Sequence, residues 1–253
     1  MLLHVQTGHD HLSPPNGIVI SGSMGLGNVR VLSIDASCAE TMGALDLAFS
    51  LLETGRCERV ILSGAADLRD GIDPRDESTV GLFGSGAAAV ILSAQVPGEG
   101  NSRLRALRWE THSNYWKLGQ APLIRTIQHD TGVSAEYGYY RMAGPELMEA
   151  GADILPGLLS TVLNEADWKP DEPDLIVTHQ PSVRILEMML RSCEIDPAVA
   201  PIHTRKLGNM GPATLLSGIS LARSSGRMKP GTKLLLFSFG LGFVCGAAAI
   251  DIA

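Results

Sequence analysis

Residues 29–52 read VRVLSIDASCAETMGALDLAFSLL. The opening apolar run reads as a buried strand over Val29–Ile34, and Met42, Leu45, Phe49 and Leu52 then recur at helical spacing, so a helix follows at once. Cys38 stands on the strand-to-helix elbow. Ser37-Cys38-Ala39-Glu40 fits the S-x-x-E capping box, which places Ser37 at the N-cap, Cys38 at the first helical position and Glu40 at the third. A thiol there meets the positive end of the helix dipole and unpaired backbone N–H groups, which favour the thiolate. A carboxylate at Glu40, one turn away, opposes it. On these residues alone Cys38 is either an activated nucleophile or a small hydrophobe packed in a core.

Working outward, the same order of elements occurs twice. The helix after Cys38 leads through a charged turn (GRCER) to a strand at Val60–Gly64 and then to Gly86-Ala87-Ala88-Ala89-Val90-Ile91-Leu92. A helical segment after Gly211 leads through SSGRMKPGTK to a strand at Leu234–Phe237, a Gly-rich turn, and Gly246-Ala247-Ala248-Ala249-Ile250-Asp251-Ile252. The shared Gly-Ala-Ala-Ala string favours an internal duplication over a chance succession of α/β elements. Asp174–Thr178 reads as a further strand, and Val183–Ser192 as a helix with Ile185, Met188 and Met189 on one face. Strands alternating with helices define a layered α/β protein. Between about residues 97 and 170 the pattern loosens, and Trp109, Tyr115, Trp116, Tyr137, Tyr139 and Tyr140 suggest a pocket lining or an interface.

Composition narrows the function classes. The 253 residues carry a net charge of −7, which argues against a nucleic-acid surface. Cys38, Cys57, Cys193 and Cys245 include no CxxC pair, which fits a reducing compartment. MLLHVQTGHD has no features of a signal peptide. Leu234–Ile250 is uncharged and near the minimum length of a membrane span, about 17 residues. Gly240, Gly242 and Gly246 divide it, so it reads as two buried strands joined by a tight turn, and a soluble, cytoplasmic protein is expected. His9-Asp10-His11 has no further ligand cluster, so no metal is expected there. GSMGLG at 22–27 lacks dinucleotide-site spacing and precedes a strand.

Two more polar residues stand where strands meet helices. His179 ends the strand 174–178 ahead of Gln180-Pro181-Ser182, and Asn209 lies in KLGNMG just before a helix. With Cys38 they sit at strand-to-helix junctions, the sheet edge where α/β proteins bind ligands. A neutral His and an Asn amide together could polarise a carbonyl oxygen. Singly, each also fits a purely structural role, a capped imidazole or a left-handed turn.

The elbow at Cys38, Phe83-Gly84-Ser85-Gly86-Ala87, Arg141-Met142-Ala143-Gly144-Pro145-Glu146, Thr178-His179-Gln180-Pro181-Ser182, Gly208-Asn209 and Phe239-Gly240-Leu241-Gly242-Phe243 occur in an order that resembles the thiolase-like condensing enzymes. The match is closest to β-ketoacyl-acyl-carrier-protein synthase III and its acyltransferase relatives. The resemblance implies a layered αβαβα fold with two pseudo-repeated halves, the N-terminal one incomplete. It divides the chain into 1–96 (N-terminal half with the elbow), 97–170 (connecting, pocket-lining) and 171–253 (C-terminal half). It also implies an acyltransferase of fatty-acid or polyketide synthesis with catalytic Cys38, His179 and Asn209. Cys38 takes an acyl group from acyl-CoA, His179 and Asn209 hold a malonyl thioester on an acyl carrier protein, and the backbone N–H groups of Cys38 and Leu241 form an oxyanion hole. Arg184 matches a basic residue for docking the carrier protein. No cofactor is expected beyond acyl-CoA as substrate.

The chain departs from that pattern in four places. Leu241 replaces a glycine in the turn, Ser85 stands where an acidic residue is usual, and Glu40 where a small one is. The strand, helices and second strand that open the family's N-terminal half, before the segment resembling Leu2-Leu3-His4-Val5, have no counterpart. The chain then reads as the larger part of a split enzyme, as incomplete, or as one whose open sheet edge a partner covers, in a homodimer or a heteromer. Two alternatives remain: acyl transfer to a hydroxyl or amine without decarboxylation, and a structural subunit of a paired condensing enzyme.

Overall fold

The computed structural model describes residues 1–35, 37–94, 100 and 102–253, without the Arg69 side chain. The boundary drawn between residues 96 and 97 lies outside the described residues.

The first sheet runs β2-β1-β3-β4, with β1 Leu2–Thr7, β2 Val31–Asp35, β3 Arg59–Ala66 and β4 Gly86–Ser93. Strands β2, β1 and β3 are parallel, and β4 is antiparallel to β3. The second sheet runs β10-β11-β12-β5, from β5 Arg103–Thr111, β10 Leu175–Thr178, β11 Lys233–Gly240 and β12 Val244–Asp251. Here β10 and β11 are parallel, and β11–β12–β5 are antiparallel. Two ribbons, β6 Gly119–Gln120 with β9 Arg141–Met142 and β7 Leu123–His129 with β8 Gly132–Tyr137, lie apart.

The helices are α1 Asn16–Ser23, α2 Thr41–Glu53, α3 Gly144–Ala166, α4 Val183–Ser192, α5 Thr204–Leu207 and α6 Ala213–Ser224. Helices α2 and α6 touch strands of both sheets and form the middle layer. Around them Leu3, Val5, Met42, Leu45, Leu62, Val177, Leu215, Leu216, Leu236 and Ala248 make one core. A second core fills the space between the second sheet and α3 and α4, from Leu155, Leu159, Val162, Leu186, Met189, Phe237 and Ala247. Helix α1 lies on β1 and β2. The layers are therefore αβαβα, with the outer layer of the first half thin: Ile91 on β4 is 69% exposed, whereas β12 is buried almost end to end.

The duplication is real at the level of register. Gly86 pairs with Ala66 across β3–β4, and Gly246 with Ser238 across β11–β12, so each Gly-Ala-Ala-Ala string enters an antiparallel partner near that partner's end. The apolar stretch 234–250 folds as the expected hairpin, with its turn at Leu241–Phe243. No helix among the described residues is long and apolar enough to cross a membrane.

Three expectations change. The stretch 97–170 is more than a connection, because β5 pairs with β12 and α3 packs on both strands, which gives the second half its edge strand and outer helix. Helix α4 spans the expected residues but buries Leu186, Met189 and Leu190, while Met188 is 46% exposed. The face toward the sheet is rotated by one residue, and burying it contributes roughly 1.5–3 kcal/mol per large side chain. Helix α2 begins at Thr41, not at Cys38. The Cys38 carbonyl, which would open a helix starting there, instead accepts a hydrogen bond from Ser238 Oγ at 3.2 Å.

Candidate active site

The carboxyl ends of β2, β10 and β11 carry the chain toward one region. Cys38 follows β2 in a bend and is half-buried; all four cysteines are free of disulfides. Only the return half of the capping box forms. The Glu40 carboxylate accepts from the Ser37 hydroxyl at 2.9 Å and from backbone N–H groups at residues 37 and 40. The same hydroxyl is 3.1 Å from the Leu241 carbonyl. Thr41 Oγ1 donates to the Pro212 carbonyl at 3.0 Å, tying the start of α2 to the start of α6.

Without a first-turn position, Cys38 lacks the thiolate-favouring setting read from the sequence. Burial pushes its thiol up to about 12, and the Glu40 carboxylate adds to the rise. The resting nucleophile is a thiol. Burial likewise raises the Glu40 carboxyl above the usual carboxylate range, against its hydrogen bonds.

Gly240, at the end of β11, is pressed against the elbow. A Cβ added there would lie 2.9 Å from Cys38 Cβ and 3.1 Å from its backbone nitrogen. Only a residue without a side chain allows this approach. The turn that follows puts its positive φ angles on Gly242 (76°) and Phe243 (49°). Leu241 therefore replaces a glycine without occupying a left-handed position, and its side chain covers Gly119 of β6.

His179 is buried at the end of β10, where its N–H donates to the Phe237 carbonyl and its ring meets the edge of Phe239, centroids 5.8 Å apart. Burial drives its pKa down to about 3, the charge of His203 acts in the same direction, and a backbone contact with Gly211 acts against them. The imidazole is thus neutral at any ordinary pH. Its Nδ1 is buried without a partner.

Asn209 is clamped by the other half of the molecule. Its N–H donates to the Leu82 carbonyl at 2.8 Å, its own carbonyl accepts from Gly84 N–H at 2.9 Å, and its Oδ1 accepts from Gly211 N–H at 2.9 Å. With Oδ1 taken, the amide Nδ2 is the group with donors to offer. Ser85, in place of the usual acidic residue, reaches one: its hydroxyl donates to Asp67 Oδ1 at 2.7 Å.

Cys38 and His179 therefore flank consecutive residues of β11, Gly240 and Phe239, and Gly211 touches both His179 and the Asn209 side chain. Arg184 stands exposed in the first turn of α4, just past this cluster. Two further residues contribute: Gln180, which has no signal of its own in the sequence, and Tyr140, one of the aromatics read as a pocket lining. Gln180, buried, donates through Nε2 to the Pro201 carbonyl and accepts through Oε1 from the His203 and Thr204 N–H groups, fixing the segment that leads to Asn209. Tyr140 packs on Gly71 and Phe83, and its hydroxyl titrates high through burial and then the nearby Cys38 and Asp35. A cavity of about 180 Å³ lined by Ile72, Pro74, Val80, Phe83 and Gly84 opens beside the Asn209 loop. Of the residues His9-Asp10-His11, His9 lies against Gln6 and Asp35, and Asp10 accepts from Asn16.

The fold and this cluster define a thiolase-like condensing enzyme. Residues 32–113 match the family described as 3-oxoacyl-[acyl-carrier-protein] synthase III, and residues 163–252 match that enzyme's C-terminal family. The chain is 27% identical over 94% of its length to β-ketoacyl-[acyl-carrier-protein] synthase III of Aquifex aeolicus, of which it covers 72%. It is 29% identical to the enzyme of the same name from a Ruegeria species, again over 94% of this chain and 72% of the relative. The crystal structure of the Aquifex aeolicus synthase III superposes with a TM-score of 0.86 at 27% identity, covering 99% of this chain and 76% of that one. The chain belongs to the synthase III family, and it is an acyltransferase of the condensing type that serves fatty-acid synthesis.

Proposed function

We propose that the chain accepts an acyl group from acyl-CoA on Cys38 and condenses it with a malonyl group carried on an acyl carrier protein. What supports the reading is that Cys38 and the neutral His179 flank neighbouring residues at the end of β11, and that Gly211 touches both His179 and the Asn209 side chain. In the first step Cys38 Sγ bonds to the acyl carbon as the bond to CoA sulfur breaks, and the thiol proton ends on CoA. In the second, the His179 N–H and the Asn209 amide donate to the malonyl thioester oxygen. CO2 leaves, and the enolate carbon attacks the acyl-Cys38 carbonyl. The Cys38 and Leu241 N–H groups take the oxyanion, and collapse expels the Cys38 thiolate, which is reprotonated. The apolar cavity at Ile72–Gly84 is the space offered to the acyl chain, and Arg184 is offered to the acidic carrier protein. No residue role here calls for a cofactor. Release of CO2 from malonyl-carrier protein tests the reading; acyl transfer to an amine or hydroxyl without CO2 replaces it.

We further infer that a second chain covers the free edge of β4, in a homodimer or in a heteromer. Support comes from the duplication: on the edge of β12 that matches the free edge of β4 lies an antiparallel strand, β5, and the β4 face bearing Ile91 is bare. Native mass spectrometry should give an assembly heavier than the 26.8 kDa chain. A stable, active monomer overturns this inference.

A further inference from the structure

We propose that Glu110, His112 and Cys245 form a zinc site behind the β11–β12 turn, distinct from the Cys38 centre. Cys245 and Glu110 are direct partners in the β5–β12 ladder, so their side chains share a face. His112, two residues beyond Glu110, returns to that face, and its N–H holds it to the Phe243 carbonyl at 2.9 Å. Glu110 Oε1 lies 2.8 Å from His112 Nε2 and 3.9 Å from Cys245 Sγ. All three ligand atoms fall within 4.8 Å of one another, the single such group among the described residues.

The donor set is one thiol sulfur, one imidazole nitrogen and one carboxylate oxygen, all three of them ordinary zinc ligands. A tetrahedral zinc ion with ordinary bond lengths holds its ligand atoms roughly 3.3–3.6 Å apart. To meet that spacing the carboxylate and imidazole need to separate by about half an ångström, and the sulfur, as much as 4.8 Å from the imidazole, to approach it by about an ångström. Burial is graded in the way a three-ligand site requires: Cys245 is fully buried, while the His112 and Glu110 side chains are 31% and 49% exposed. Solvent reaches the fourth position. The His112 ring is aimed by the edge of Phe243, centroids 6.0 Å apart. Binding exchanges the Cys245 S–H proton, released to water, for the Zn–S bond. The ion would pin the end of β5 to the start of β12, and so brace from behind the turn Gly240–Phe243 that closes on Cys38.

The test uses the whole protein, stripped with EDTA and titrated with Zn2+ by calorimetry and with Co2+ by absorption. We expect one ion per chain, a thiolate-to-cobalt charge-transfer band in the near ultraviolet, and a higher melting temperature with zinc. The band should survive in Cys38→Ala and vanish in Cys245→Ser, and His112→Gln should weaken zinc binding at least about tenfold. His112 is partly exposed, so its variant keeps the test decisive if Cys245→Ser does not fold. Absence of stoichiometric binding, persistence of the band in Cys245→Ser, its loss in Cys38→Ala, or unchanged affinity in His112→Gln overturns the proposal. None of these readouts depends on acyl transfer.

Discussion

Ser238 Oγ donates to the carbonyl of Cys38 across 3.2 Å, so a residue of the second half fixes the elbow of the first. Ser238 is fully buried and pairs with Gly246 in the β11–β12 ladder. Removing the hydroxyl leaves that carbonyl without its partner, at a cost of about 1 kcal/mol. Ser238→Ala should lower the urea midpoint accordingly and slow acylation at Cys38. Unchanged midpoint and unchanged acylation together contradict this role.

Gly240 and Gly242 separate crowding from backbone strain. A methyl at Gly240 meets Cys38 and the Ala39 nitrogen at 2.9–3.1 Å, whereas Gly242 has φ 76° and open space around it. Gly240→Ala should displace the elbow, destabilise by roughly 1–3 kcal/mol, and reduce formation of the acyl adduct about a hundredfold. Gly242→Ala should cost about 1 kcal/mol of conformational strain and leave the adduct largely intact. Equal effects on the adduct contradict the assignment.

The Cys38 thiol titrates near 12 because of burial first and Glu40 second. Below that value the thiolate fraction rises about tenfold per pH unit, so alkylation by iodoacetamide should climb through pH 9 without a plateau. Glu40→Gln removes a negative neighbour, lowers the thiol pKa and should speed alkylation severalfold at pH 8. A plateau below pH 9, or slower alkylation in the variant, contradicts the electrostatic account.

His179 is held far below its unfolded pKa of about 6.5, at about 3 in the fold. Between those values the unfolded chain binds a proton that the folded chain refuses. Stability therefore falls as pH drops from 6.5 toward 3 and is fully present above 6.5. His179→Gln should flatten this part of the profile in urea titrations at pH 4–7. A wild-type midpoint that stays level below pH 6 contradicts a buried neutral imidazole.

What the sequence discloses is what is local. The bounds of helix α4 follow from the sequence, though not the face it buries, and the hairpin at 234–250 follows from its glycines. The start of α2 does not, because the residue that takes the Cys38 carbonyl comes from β11. Strand β5 is obscured by Arg103, Arg105 and Arg108, two of which are stabilised by acids distant in sequence, Asp251 and Glu165. Its partner β12 is set by the fold alone. Cys38 and His179 are legible as polar residues at strand-to-helix junctions; Asn209 reads as a third, but it lies in the loop between α5 and α6. Gln180 is not legible, since its role is to hold backbone from a later loop, and Glu110 and Cys245 meet only through a ladder register.

Intact-mass analysis of the protein after incubation with short acyl-CoA, alongside Cys38→Ala, tests the central claim most directly. The account predicts a single acyl increment on the unmutated chain, none on Cys38→Ala, and discharge of the increment with CO2 release when malonyl-carrier protein is added. An unmutated protein that takes no acyl group in its native assembly, or an increment that persists in Cys38→Ala, contradicts it.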